Sequence, residues 1–233
     1  MRCRTPDYND CGNALYVYYG GGYEDDVTYA DLAFPAGVMD ADYNIHFSGF
    51  LGSTYQSDLC YLRPEINYWD LEIIWDGMKA SYPTIVAEPS GRSHISYWFS
   101  NNSPFRYARN GGRSWRREVI ETGGDIGRTN VSAIELDRFG QPQVLLSLHY
   151  SGLVLAHKGL GDWALDPPFD SAAIEFSVAA DSDGFLHALY NKFSGPTRYA
   201  TDRSGAWFIE TFDHRVGEGT WRSAQTAPCT SAT

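Results

Sequence analysis

The chain has 233 residues, 15% of them aromatic, with 16 Tyr, 7 Trp and 23 Gly; this suits many short strands joined by tight turns, and long helix-forming runs are absent. A formal net charge of -11 and a pI near 4.9 repel nucleic-acid backbones and anionic surfaces, so no nucleic-acid partner is expected. No apolar run reaches the ~20 residues of a membrane span. Met1-Arg2-Cys3-Arg4-Thr5-Pro6 also lacks the apolar core of a signal peptide, so the compartment is left open.

Taken in chain order, one pattern of residues recurs. An acid or amide stands at Asn9, Asp40, Glu88, Asp137 and Asp181, and six residues later come Leu15, His46, His94, Gln143 and His187. Tyr29, Tyr61, Tyr107, Leu155 and Tyr199 follow, and eight residues beyond the last four of these stand Trp69, Trp115, Trp163 and Trp207. A repeat of about 40–50 residues is the signature of propellers and arrays. Each copy reads as strand, Asp/Gly turn, strand, loop, strand, hairpin, strand. The runs Thr84-Ile85-Val86-Ala87 and Phe176-Ser177-Val178-Ala179 are short and apolar, as inner strands should be. Small residues such as Ala87, Ala133 and Ala180 suit a narrow axis.

The first copy is short. Eight residues beyond Tyr29 lies Gly37, and either the tail around Thr220-Trp221-Arg222 supplies the missing outer strand or the array stays open and closes only by oligomerising. The expectation is therefore an all-β propeller of about five blades of four antiparallel strands. It forms one domain over residues 1–233, with repeats beginning near 9, 40, 88, 137 and 181, and in the preferred form its first blade is completed by the C-terminal tail.

The hairpin Ala108-Arg109-Asn110-Gly111-Gly112-Arg113-Ser114-Trp115 resembles the Asp-box of sialidase-type (BNR-like) propellers, Ser-x-Asp-x-Gly-x-Thr-Trp. Asn110 stands for the Asp and Ser114 for the Thr, while the other copies keep little beyond the Trp. The repeat also looks like the Asp-x-x-Gly-x-x-His, Tyr-Ala, Trp-x-x-Glu units of bacterial extracellular propeller proteins. The resemblance implies a propeller fold and favours an extracellular setting. It does not imply sialidase activity, because the arginine triad, Tyr/Glu pair and acid of sialidases cannot be placed here.

Cys3, Cys11, Cys60 and Cys229 show no CxxC pair or zinc-like spacing. A disulfide between Cys3 and Cys229 and four free thiols both stay open. The three repeat histidines fall in different blades and are read as structural, as are the repeat acids; no metal and no cofactor is expected. Five arginines lie between Arg106 and Arg117, and strand alternation should divide them between two faces.

Catalytic residues should break a repeat. Among residues found in one copy only, Glu135 and Glu175 are the candidate acid and base of a glycoside-acting enzyme, and Arg128 is a candidate ligand contact. Sugars stack on aromatic rings, which singles out Tyr97 and Trp98 after His94, Tyr19 in the first copy and Tyr190 in the last. The preferred expectation is a lectin-like module without catalysis, binding a glycan or other small polar ligand. The alternatives are a glycoside-acting enzyme and a scaffold for a protein partner.

Overall fold

Residues 32–53, 56–64, 69–75, 80–99, 104–111, 114–120, 131–159, 161–192 and 194–212 are described by a computed structural model. They form four antiparallel sheets of four strands, each ordered as the chain runs. Sheet 1 holds β1 (Leu32–Met39), β2 (Ile45–Ser53), β3 (Gln56–Pro64) and β4 (Trp69–Trp75). Sheet 2 holds β5 (Ala80–Ala87), β6 (Ser93–Phe99), β7 (Phe105–Asn110) and β8 (Trp115–Val119). Sheet 3 holds β9 (Ser132–Leu136), β10 (Pro142–Leu148), β11 (Gly152–Lys158) and β12 (Trp163–Leu165). Sheet 4 holds β13 (Glu175–Ala180), β14 (Leu186–Asn191), β15 (Arg198–Thr201) and β16 (Phe208–Thr211).

The first strands contact one another in succession, β1 with β5, β5 with β9 and β9 with β13. They are the inner strands of blades, and the molecule is an all-β propeller. The copy near residue 9 and the C-terminal tail lie outside the described residues, as do Cys3, Cys11 and Cys229. Gly37 falls on β1 and pairs with Phe47 of β2, so it belongs to the inner strand of the next sheet, which explains why no Trp stands there.

The turn between the first two strands has the same build in all four sheets. The fourth residue donates its N–H to the acid's carbonyl, and the acid's N–H closes onto the fifth residue, as in Asp137 with Gly140 and Gln141. The fourth residue has positive φ: Tyr43 at 65°, Gly91 at 79°, Gly140 at 74° and Gly184 at 84°. At Gly184 a Cβ would stand 2.4 Å from the backbone N of Arg138, so that glycine also permits sheet 4 to close on sheet 3.

Three apolar clusters fill the three gaps between the described sheets. Strand alternation assigns the faces. Tyr97, Ile95 and Ile85 pack toward sheet 1, whereas Trp98, Val86 and Tyr107 pack toward sheet 3. Across each of the first two gaps the later sheet inserts its tryptophan. Trp115 meets Tyr61 edge-on at 5.0 Å and donates its indole N–H to Glu72 at 2.7 Å. Trp163 meets Tyr107 at 5.1 Å and donates to Glu118 at 3.1 Å. The third gap departs from this, because Leu155 replaces the tyrosine; Trp207 stacks instead on Phe169 at 4.0 Å.

The basic stretch divides between the faces. Arg106 and Arg117 lie over the Trp75 ring of sheet 1 at 5.0 and 4.1 Å, while Arg109 and Arg116 are cross-strand partners on the face toward sheet 3. Cys60 is a free buried thiol donating to the Gly49 carbonyl at 3.2 Å, and burial pushes its pKa up to about 12.

Trp115→Ala should cost about 3–5 kcal/mol in equilibrium urea unfolding, since it removes a ring packed in the first gap and strips Glu72 of its donor. Trp115→Phe keeps most of the ring and should cost about 1–2 kcal/mol less.

Candidate ligand-binding cleft

The acid, histidine and tyrosine columns meet in three of the four sheets, each within one sheet. His46 joins Asp40 (2.9 Å) to the Tyr61 hydroxyl (2.5 Å). His94 joins Glu88 (2.9 Å) to Tyr107 (2.6 Å), and His187 joins Asp181 (3.3 Å) to Tyr199 (2.6 Å). A carboxylate only accepts, so Nε2–H donates to it and Nδ1 accepts from the tyrosine O–H. The histidines are structural, each bridging two side chains of its own sheet. Ser93 of sheet 2 adds a hydrogen bond to the Tyr61 hydroxyl at 3.1 Å, tying the first unit to the next sheet.

Glu88 breaks the column by one methylene. Asp40, Asp137 and Asp181 turn one carboxylate oxygen back onto two backbone N–H groups of their own turn. Glu88 instead accepts from the side chains of Ser90 (2.9 Å) and Arg92 (3.3 Å) as well as His94. Burial alone would raise the Glu88 carboxyl, but the hydrogen bonds from His94 and Ser90 outweigh it and hold it below its ordinary value. Burial lowers His94, only partly opposed by Glu88, so this imidazole is neutral at pH 7.

Between Glu88 and the turn of sheet 3 lies a cleft of about 270 Å³. Glu88, Arg92, His94, Tyr107 and Arg109 line one wall; Phe139, Gly140, Gln141 and Pro142 line the other, with Lys158 at its edge. The Phe139 ring is 72% exposed and carries the Arg138 guanidinium 4.7 Å from its centre. Lys158 is already bonded to Glu118 and to the Gly161 carbonyl. The cleft therefore presents an apolar ring opposite fixed donors and acceptors.

The residues singled out in the sequence lie elsewhere. Tyr97 is fully buried in the first gap, where burial pushes its pKa up to about 12. Trp98 packs against the second cluster. Tyr190 is buried in the third gap and donates to Asp170 at 2.5 Å, a carboxylate also held by Lys192 (2.5 Å) and Arg198 (2.8 Å). Tyr97 and Tyr190 are packing elements here, since a stacking platform must show a face to solvent, whereas Trp98 is half-buried. Tyr19 and Arg128 lie outside the described residues.

Glu135 and Glu175 are not brought together. Glu135 pairs with Gln143 next to the turn end of β9, whereas Glu175 pairs with Asn191 at the opposite end of β13. Their places differ by four residues along the strand, about 13 Å. Phe176 and Val178 take the β13 face toward sheet 3, so Glu175 points to the other face, where it is exposed. Burial alone raises the Glu135 carboxyl to about 7.

No family model matches this chain, and no curated protein is similar to it. Solved structures do match. One is an exo-β-1,3-galactanase from Clostridium thermocellum, with TM-score 0.53 and 10% identity over 77% of this chain and 48% of that one. Another is the fucose-specific lectin of Aleuria aurantia, with TM-score 0.55 and 13% identity over 80% of this chain and 63% of the lectin. A third is the SapL1 lectin in complex with α-methyl fucoside, with TM-score 0.57 and 11% identity over 77% of this chain and 63% of that one. The chain thus spans about half of the galactanase and under two thirds of these lectins, and at such identities the likeness shows the fold alone.

The cleft could have been found from the sequence by asking where the columns change. Glu88 replaces aspartate, and Arg116 replaces the acid that Asp70 supplies one residue after the tryptophan. Glu135 supplies a separate expectation. A carboxyl raised in the folded state favours folding below its unfolded pKa and loses that contribution as pH rises through about 7. Glu135→Gln should therefore flatten stability between pH 4.5 and 7, gaining roughly 1–3 kcal/mol over the parent at pH 8 in urea unfolding.

Proposed function

We propose that the chain is a carbohydrate-binding, lectin-like propeller module without catalytic activity, and that the cleft between sheets 2 and 3 is its binding site. The observation that carries this is one exposed aromatic ring, Phe139, set opposite Glu88, Arg92 and Arg109 on a packed scaffold. Sugar rings lay their C–H faces on such rings while charged and amide groups take the hydroxyls. The scaffold is prepared in advance. Glu88 is held by His94, and His94 by Tyr107, so little ordering is left to be lost on binding.

The lectins among similar folds, which bind fucose or a fucoside, support a sugar ligand. The galactanase among them keeps an enzyme reading in view, but the carboxylates this chain offers for it lie at opposite strand ends, with Glu175 turned away from the gap that Glu135 enters.

Glycan-array binding, with sugar release followed in the same wells, tests the reading. Saturable retention without release is expected. Phe139→Ala should weaken retention about 5–30-fold while changing stability by less than about 0.5 kcal/mol, since its ring is largely in solvent. Sugar release would convert the module into an enzyme, and retention of no saccharide would remove the proposal.

A further inference from the structure

Corresponding arginines of sheets 1 and 2 have opposite surroundings. Arg63 stands two residues after Tyr61 and Arg109 two residues after Tyr107. Arg63 faces Asp70 across the β3–β4 pair and is bonded to it at 3.0 and 3.2 Å, with Glu72 at 3.7 Å. Arg109 faces Arg116 across β7–β8. The acid of the first sheet has become a second base in the second.

Like charges directly opposite on adjacent strands destabilise a sheet, and here no acid stands opposite either arginine, although Arg116 is exposed and water takes up part of the repulsion. Among the described residues neither the Arg109 nor the Arg116 side chain has a hydrogen bond or an ion pair. Glu118, the nearest acid on that outer strand, is engaged by Lys158 and by the Trp163 indole. Arg109 lines the cleft beside Arg92, so this wall is electropositive on a chain whose net charge is -11.

Resting on the carbohydrate-binding reading, we propose that the sugar taken by this cleft is acidic, its carboxylate held by the Arg109 guanidinium with Arg116 beside it and its ring against Phe139. A guanidinium fork matches a carboxylate with two parallel hydrogen bonds. The bound anion supplies the counter-charge that Asp70 supplies in sheet 1. Neutral sugars give the two arginines no such relief, so acidic ones are preferred.

The test measures binding of the full chain to immobilised oligogalacturonate, to its neutral methyl ester, to sialylated glycans and to neutral glycans. Retention of an acidic saccharide is expected at an affinity at least 10-fold above that of any neutral one, the methyl ester included. Arg109→Gln should remove that preference. Arg116→Asp should remove it as well by giving Arg109 an internal partner, and because it installs the pairing found in sheet 1 it should leave stability equal or higher. Equal retention of the acid and its ester, or unchanged acidic binding in both variants, would overturn the proposal. Binding of neutral glycans alone, lost in Phe139→Ala, would overturn the acidic preference and leave the lectin reading standing. If nothing in the panel is retained, both fall.

Discussion

An indole driven edge-on against a tyrosine of the preceding sheet fixes how neighbouring blades meet. Trp115 and Trp163 each fill a gap, meet one aromatic ring, and satisfy their N–H on a glutamate of the sheet before. That tyrosine is in turn immobilised by a histidine, and the histidine by the turn acid. Ring position, strand register and turn conformation are thereby coupled. A buried polar chain of this kind stabilises only when every member is satisfied, and here each member has its donor or acceptor.

The cleft arises from small departures from that scheme. In sheet 1 the shorter Asp40 folds onto its own turn, and the turn of sheet 2 lies near it, where a Cβ added at Gly91 would stand 3.8 Å from the Asp40 carboxylate. In sheet 2 the longer Glu88 leaves its turn backbone for side chains, and nothing lies close to Gly140. Space opens where the acid is one methylene longer. The third gap departs further: Gln143 and Leu155 take the places of histidine and tyrosine, Phe169 meets the tryptophan, and a glutamate with a raised pKa lies beside Gln143.

Much of the architecture was legible in the sequence because it is periodic. Residue columns report what every blade must have, so Trp115, His94 and Asp137 announced strand starts and turns without any knowledge of the path between them. The binding site was less legible for the same reason. Tyr97 and Trp98 are adjacent aromatics and Tyr190 stands at the matching place in the last copy, yet alternation sends one neighbour of the pair into each gap, where Tyr97 is buried and Trp98 half-buried. Nothing in the pair itself says that solvent is excluded from both faces. Phe139 carries no signal of its own in the sequence, because it sits at a turn position occupied in other copies by Asp42, Ser90 and Asp183, where the ring meets only the Arg138 guanidinium on one side and otherwise faces water. Glu135 was found as a break in the repeat, but a break marks an unusual environment, which here is burial in an interface.

The tryptophan contact has a direction. In sheets 1, 2 and 4 one face is a socket, built from acid, histidine, tyrosine and the outer-strand carboxylate, and sheets 2 and 3 bring an indole to the socket of the sheet before. Sheet 4 ends the described array with a socket, formed by Asp181, His187, Tyr199 and Glu210. Two such sockets set face to face would offer each other carboxylates and no indole, so the contact seen between the described sheets is not one that a two-fold axis would repeat. Contact between the first three sheets is therefore heterologous: a socket meets an indole, and the order of the sheets follows from which of them carries the tryptophan.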